Sequence, residues 1–342
     1  METALTDNQI KNSMPILDFL KIFFAVCVIG IHSKLFVEYP TLYYWLNKLV
    51  FRVAVPFFLC ASGFLIGVKT NGLTQDEQRA YYKRYSKRLL KLLLVFEPIS
   101  IVLYSIQYYL SGISLTMILL RIVRSVLFCP WGALWYIQTV LVGMWLVFAF
   151  LRFARIELGV IIGGLLYAIA LVCNSYYWLI EGTVVQSFAD LILKVCDTAR
   201  NGLFYGFFFI CLGLICSKKR NRHAVCLFLL TFVLYIIELG FLQNRTMADD
   251  GSLFILSPFL AYFLVQLSSK SFSCSFSTLL IRNLSTGIYL IHRPIISIVS
   301  IVGLLTGNVI FSLVLFIIVL SVSICICLFA YKYTRILSSV LK

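Results

Sequence analysis

Asp18, Lys21 and His32 stand in the stretch LDFLKIFFAVCVIGIH, whose other residues are almost all apolar. On an α-helix, positions 11 apart differ by about 20° in azimuth and by roughly 16 Å along the axis, so Lys21 and His32 share a face. Asp18 sits one turn before Lys21 on the same side. A neutral imidazole can accept a proton near neutral pH, which a charged lysine on the same face cannot. Ionisable groups are costly in lipid, so such a stripe faces a bundle interior. The alternative is that Lys21 snorkels to the headgroups and His32 fills space near the outer interface.

The second imidazole of interest is His292, in RNLSTGIYLIHRPII, where Pro294 would loosen the helix and free a carbonyl nearby. Two imidazoles inside one bundle suggest a proton-handling site. The third histidine, His223, belongs to the basic run KKRNRH and reads as solvated surface. Another basic run, KRYSKRLLK, ends in Arg88 and Lys91, one turn apart. That pair is either a topology signal or a phosphate site. Glu97 beside Pro98 is a buried acid that could pair with one of these bases or with Lys21. Pro56, Ser62 and Gly63 in VAVPFFLCASGFLIG allow close helix approach or leave a cavity.

The elements that position these groups are membrane helices. Of 342 residues, 61% are hydrophobic and 13% charged, and the mean hydropathy is +0.97, which excludes an ordinary soluble domain. Apolar runs close to the ~20 residues that cross a bilayer recur along the chain. They predict about ten spans, at roughly 15–37, 44–68, 88–110, 133–152, 156–173, 201–216, 224–242, 252–268, 283–304 and 308–330. The expectation is an all-α, polytopic membrane bundle, with a polar N-terminus at 1–14, one membrane domain at 15–331 and a short tail at 332–342.

Lysines and arginines crowd alternate loops, which places both termini in the cytoplasm. The same bias explains the net charge of +15 without nucleic acid as a partner. The N-terminus lacks a signal-peptide pattern, so the first span is expected to be an uncleaved anchor. Segment 112–130, interrupted by Arg121 and Arg124, reads as an interfacial or re-entrant helix on the outer side. The loops at 174–200 and at QNRTMADDG, also outer, carry Glu181, Asp190, Arg200, Asp249 and Asp250. The eleven cysteines show no paired or metal-ligand spacing, so no metal is expected.

Taken together, these pieces resemble the acyltransferase family 3 membrane proteins. Asp18, Lys21 and His32 match the family's opening motif, and Pro56, Phe57, Phe58, Ser62, Gly63 and Phe64 its proline-aromatic-Ser-Gly-Phe motif. Arg88 and Lys91 match its Arg-x-x-Arg, Leu134, Trp135 and Tyr136 its Leu-Trp-Tyr, and Tyr289, Leu290 and His292 its late Tyr-Leu-x-His. The matches run in family order from about residue 15 to 330. Lysine replaces the usual arginine at Lys21 and Lys91, keeping the charge but losing the planar fork. In this, and in CDTARNGLFYGFFFICLG and NSYYWLIEG, the chain is similar to the membrane half of the membrane-bound serine racemases of vancomycin-resistance clusters, a half associated with serine uptake.

The resemblance implies a cell-membrane enzyme, of the bacterial cytoplasmic membrane, that moves an acyl group, acetyl above all, from acyl-CoA to a hydroxyl of an extracytoplasmic glycan or envelope precursor. Lys21, Arg88 and Lys91, with Asp18, would receive the donor. His32 would act as base or acyl carrier and His292 as a partner that orients acceptor or thioester. Arg200, Glu181, Trp135 and Tyr289 would face the acceptor. The alternative function is a permease for serine or a similar small polar solute, with the same stripe lining its path.

Overall fold

The computed structural model describes residues 14–219, 221–269 and 278–333. Apart from Met14, Lys332 and Tyr333, the expected N-terminal segment and tail lie outside these residues. Every regular element described is helical. The first helix, α1 (Pro15–His32), starts at a proline whose missing N–H would be unpaired there in any case, and so does α2 (Pro40–Thr70). A π turn at Leu46–Val50 and a 3₁₀ turn at Phe51–Val53 interrupt α2 and rotate its second half against the bundle.

Helix α3 (Gln75–Leu110) begins well before the expected span. Thr74 and Glu77 form a capping box that starts it, so the basic run is helical and projects beyond the apolar segment. Then come α4 (Leu115–Leu127), α5 (Trp135–Phe150), α6 (Ile156–Val172), α7 (Val184–Cys196) and α8 (Gly202–Lys218). The last four are α9 (Ala224–Leu242), α10 (Ser257–Ser268), α11 (Leu279–Thr306) and α12 (Ser312–Tyr333). Gly307, with φ of +70°, closes α11 in the left-handed conformation that glycine adopts without strain.

Six of these helices, α1, α2, α3, α9, α11 and α12, are long and apolar enough to cross a membrane. The other four expected spans correspond to the shorter apolar helices α5, α6, α8 and α10. The protein is thus a multi-pass membrane protein. Two further helices, α4 and α7, are amphipathic. The expected interfacial segment is α4, which exposes Leu119, Leu120, Val123 and Val126. Helix α7, within the stretch read as an outer loop, exposes Val185, Phe188 and Leu191. Arg124 of α4 ties them together, bonding Asp197 at 2.6 Å and the Lys194 carbonyl at 2.7 Å.

The face where α1 begins, here the proximal face, carries the Lys219–Glu157 and Asn221–Gln266 contacts. The opposite, distal face carries the Arg124–Asp197 pair and the Glu38 carboxylate, which accepts the Ser312 N–H at 2.8 Å and so caps α12. Helices α1 and α11 run parallel, since Asp18 meets Arg282 near one end and His32 meets His292 further along. Ala25 and Ile29 pack with Ile288 and Ile295 between these contacts.

The tightest helix pair is α2 with α8. A Cβ on Gly63 would strike the Ile210 backbone, and one on Gly213 would strike the backbone of Cys60 and Phe64. Reciprocal glycines let the two backbones touch, as small residues do in membrane bundles. Of the two readings of Gly63, the structure realises close approach.

Candidate functional site

The site is a polar column through the bundle, built in tiers. At the proximal end Asp18 is almost fully buried and accepts from the Thr278 hydroxyl at 2.7 Å and from Arg282 at 3.0 Å, with Lys21 3.6 Å away. Arg88, half-buried on α3, is in electrostatic contact with Lys21. One carboxylate therefore holds two cations, from α1 and α11, with Arg88 of α3 near the first of them. Lys91, one turn from Arg88, is exposed and stands outside the group.

The middle tier is made of hydroxyls. The Ser62 proton goes to the Phe58 carbonyl at 2.8 Å, so Ser62 accepts from Tyr136, 3.1 Å away. The Tyr136 ring abuts Tyr289, with centroids 5.5 Å apart, and Tyr289 donates to the Ala133 carbonyl. Tyr289 in turn lies 6.0 Å, centroid to centroid, from His292. The Pro-Phe-Phe and Leu-Trp-Tyr motifs, distant in sequence, meet in this tier.

Above it the two imidazoles stack, with centroids 5.3 Å apart and planes 28° from parallel. His292 is fully buried, and its Nδ1 lies 3.1 Å from the Ile288 carbonyl. A carbonyl only accepts, so Nδ1 carries the proton and Nε2 presents a lone pair. Among the described residues Nε2 has no partner. The carbonyl that binds the ring is thus Ile288's, one turn back on the helix, rather than one freed by Pro294.

The distal tier is an ion network. Arg200 bonds Asp250 at 2.6 Å and Asp249 at 3.3 Å, Arg52 reaches the same Asp250 carboxylate, and Arg200 lies over the Trp135 ring at 4.9 Å. Asn174 holds the acidic loop in place, its side-chain carbonyl accepting from the N–H groups of Ser252 at 2.6 Å and Leu253 at 2.9 Å. Thr198 donates to Asp249 at 2.7 Å. Burial pushes both carboxyls up, but for Asp250 the guanidiniums of Arg200 and Arg52 win and hold it well below the usual carboxylate range. Asp249, dominated by its burial and repelled by Asp250, stays raised. Asp249 also sits at φ +53°, a strained conformation that aspartate tolerates better than most residues.

Of the residues expected to carry function, the structure brings together Asp18, Lys21 and Arg88, then Tyr289, His292 and His32, then Arg200 and Trp135. It leaves two outside. Lys91 faces outward on α3, and Glu181 is exposed in the turn before α7, its place beside Arg200 taken by Asp249 and Asp250. Glu97 pairs with none of the proximal bases; its Oε1 accepts the Trp131 N–H at 3.2 Å. The sequence reading missed Arg52, Arg282 and Arg293. A lone arginine in the apolar run FRVAVPFFL, and one beside the buried His292, were the available signals. His223 is exposed, as expected. The cysteines described are free thiols, Cys274 lies outside the described residues, and no His, Cys, Asp and Glu cluster among the described residues suits a metal.

These tiers, with the motif residues converging on one column, belong to a multi-pass membrane protein. Residues 14–332 match the Acyltransferase domain of acyltransferase family 3, and the chain belongs to that family. It is also similar to a serine/alanine racemase of Enterococcus gallinarum, 25% identical over 265 residues, or 73% of this chain and 36% of that protein. Two amino-acid racemases of Enterococcus faecalis are 29% and 24% identical, over 72% and 70% of this chain and 36% and 34% of theirs. The chain thus spans about a third of the length of these relatives, which bears out the resemblance to that branch. No solved structure matches.

Proposed function

We propose that the protein transfers an acyl group, acetyl foremost, from cytoplasmic acyl-CoA to a hydroxyl of an extracytoplasmic glycan or envelope precursor, within a bundle of ten spans whose ends are both cytoplasmic. The carrying observation is the stacked His32–His292 pair, held between a basic proximal cluster and a polar distal mouth. Lys21, Arg88 and Arg282 suit the phosphates of coenzyme A at the cytoplasmic end, with Arg282, whose Nε and Nη2 bond Asp18, offering its remaining N–H groups.

In this reading the His292 Nε2 lone pair accepts the proton of the acceptor hydroxyl. The acceptor oxygen attacks the thioester carbonyl, the carbon–sulfur bond breaks, and the thiol leaves with the proton returned through the imidazole. His32, stacked on the other ring, orients the reacting groups or carries the acyl group transiently. The hydroxyls of Tyr136 and Tyr289 border the path the thioester follows.

A second reading rests on a specific observation, the racemase names of the relatives at 24–29% identity. The same column would then pass serine or a similar amino acid with no covalent chemistry. Mass spectrometry of the host's surface glycans with and without the gene separates the two. Loss of one acyl mass on deletion is expected; unchanged glycans together with lost serine uptake would favour the permease.

A further inference from the structure

The distal tier holds more positive than negative charge. Asp249 and Asp250 are committed to Arg200 and Arg52, while Lys48 rests on the backbone carbonyls of Asp250 and Gly251. Arg293, the residue after His292, is left over. Its guanidinium lies 5.2 Å from the Tyr104 ring centroid, and its stem closes against Gly132, where an added Cβ would come within 3.3 Å. Among the described residues no carboxylate pairs with it, and its buried Nε has no hydrogen-bond partner. Arg52, Arg200 and Arg293 all act electrostatically on His32.

A buried Nε–H without a partner is costly, and beside the reacting imidazoles it is half of a two-pronged anion site whose other half is a terminal N–H of the same partly buried guanidinium. We propose that the distal tier binds the anionic group of an acceptor, a carboxylate or a phosphate, with Arg293 as its principal ligand and Arg200 and Arg52 setting the surrounding field. This rests on the acyltransferase reading and narrows its acceptor to acidic glycans or phosphorylated envelope precursors. Arg293 Nε and a terminal N–H would grip two oxygens of the anion and hold a neighbouring hydroxyl over the His292 Nε2.

The test measures binding, not turnover, so it can fail or succeed independently of acyl transfer. Full-length protein in detergent is titrated by calorimetry with glucuronate against glucose, and with glycerol 3-phosphate against glycerol. At least one anionic probe is expected to bind about ten-fold or more tightly than its neutral partner. Glucuronate alone would identify a carboxylate and glycerol phosphate alone a phosphate. Arg293→Gln should abolish the preference while keeping coenzyme A binding, which also reports that the variant is folded. Arg293→Lys should keep part of it, and Lys21→Gln, at the far end of the column, all of it. Equal binding of neutral probes, no binding of either anion, a preference that survives Arg293→Gln, or one lost in Lys21→Gln would each overturn the assignment.

Discussion

The His32 imidazole lies against that of His292 at 5.3 Å between centroids, joining α1 to α11 across 260 residues of chain. Parallel helices bring this about, and the pair inherits its registry from Asp18 and Arg282 below it. Two rings this close form one site, so a substrate group that meets one meets the other.

Both histidines should therefore be needed. His292→Ala removes the anchored Nε2 and is expected to lower acyl transfer by about 10²- to 10⁴-fold, the range for a general base. His32→Ala should lose a comparable factor, and the double variant little more, because residues acting as a unit are not additive. Coenzyme A binding should persist in all three. A single variant with the wild-type rate would remove that histidine from the chemistry.

At the proximal end, Arg282→Met and Lys21→Met should each weaken coenzyme A binding, and Lys21→Arg should keep most of it. Lys91→Met should change nothing, since Lys91 is exposed on α3 away from Asp18. Thermal shift with coenzyme A measures all four, because a ligand that binds only the native state raises the melting temperature. Equal effects at Lys21 and Lys91 would place the phosphates elsewhere.

The distal network makes a pH-dependent prediction. The folded-state carboxyl of Asp250 is lowered, so the stability it contributes is present above its unfolded value near 4 and is lost as pH falls toward the folded value. Asp250→Asn should thus cost on the order of 3 kcal/mol at neutral pH, as breaking a buried pair does, and progressively less in acid. Asp249 is raised instead, so Asp249→Asn should cost less at neutral pH. Melting curves of both variants from neutral to acid pH check the order.

Gly213→Val tests the tight α2–α8 contact. The new side chain would meet backbone atoms of Cys60 and Phe64, which cannot rotate away, so a loss of roughly 1–3 kcal/mol or a failure to accumulate is expected. Gly72→Ala, where nothing lies within 4 Å, is a control for handling; its φ of +75° alone predicts a small loss.

Much of the column was legible in the sequence because ionisable residues in apolar runs are conspicuous. Asp18, Lys21, His32 and His292 stand out that way; the 11-residue spacing of Lys21 and His32, with Asp18 one turn earlier, puts the first three on one face, and Asp18 and His32 both meet α11. Pairing across helices was not legible, since Arg282 reads as an ordinary membrane-edge arginine until α11 is set parallel to α1. Helix α7 reads as loop in the sequence because its apolar stretch, 13 residues in the helix, is too short to span a bilayer. Glu181 and Asp250 are both acids of loops that read as outer, and the Asn174 staple, not legible in the sequence, holds the loop of Asp250 beside Arg200.

The most direct measurement places purified protein in liposomes with labelled acetyl-CoA on the proximal side and a hydroxyl acceptor on the distal side. Acyl transfer through the His32–His292 site predicts that coenzyme A is released on one side while label appears on the acceptor on the other, and that His292→Ala stops both while still binding coenzyme A. Serine crossing the membrane with no label transferred, or transfer undiminished in His292→Ala, would contradict it.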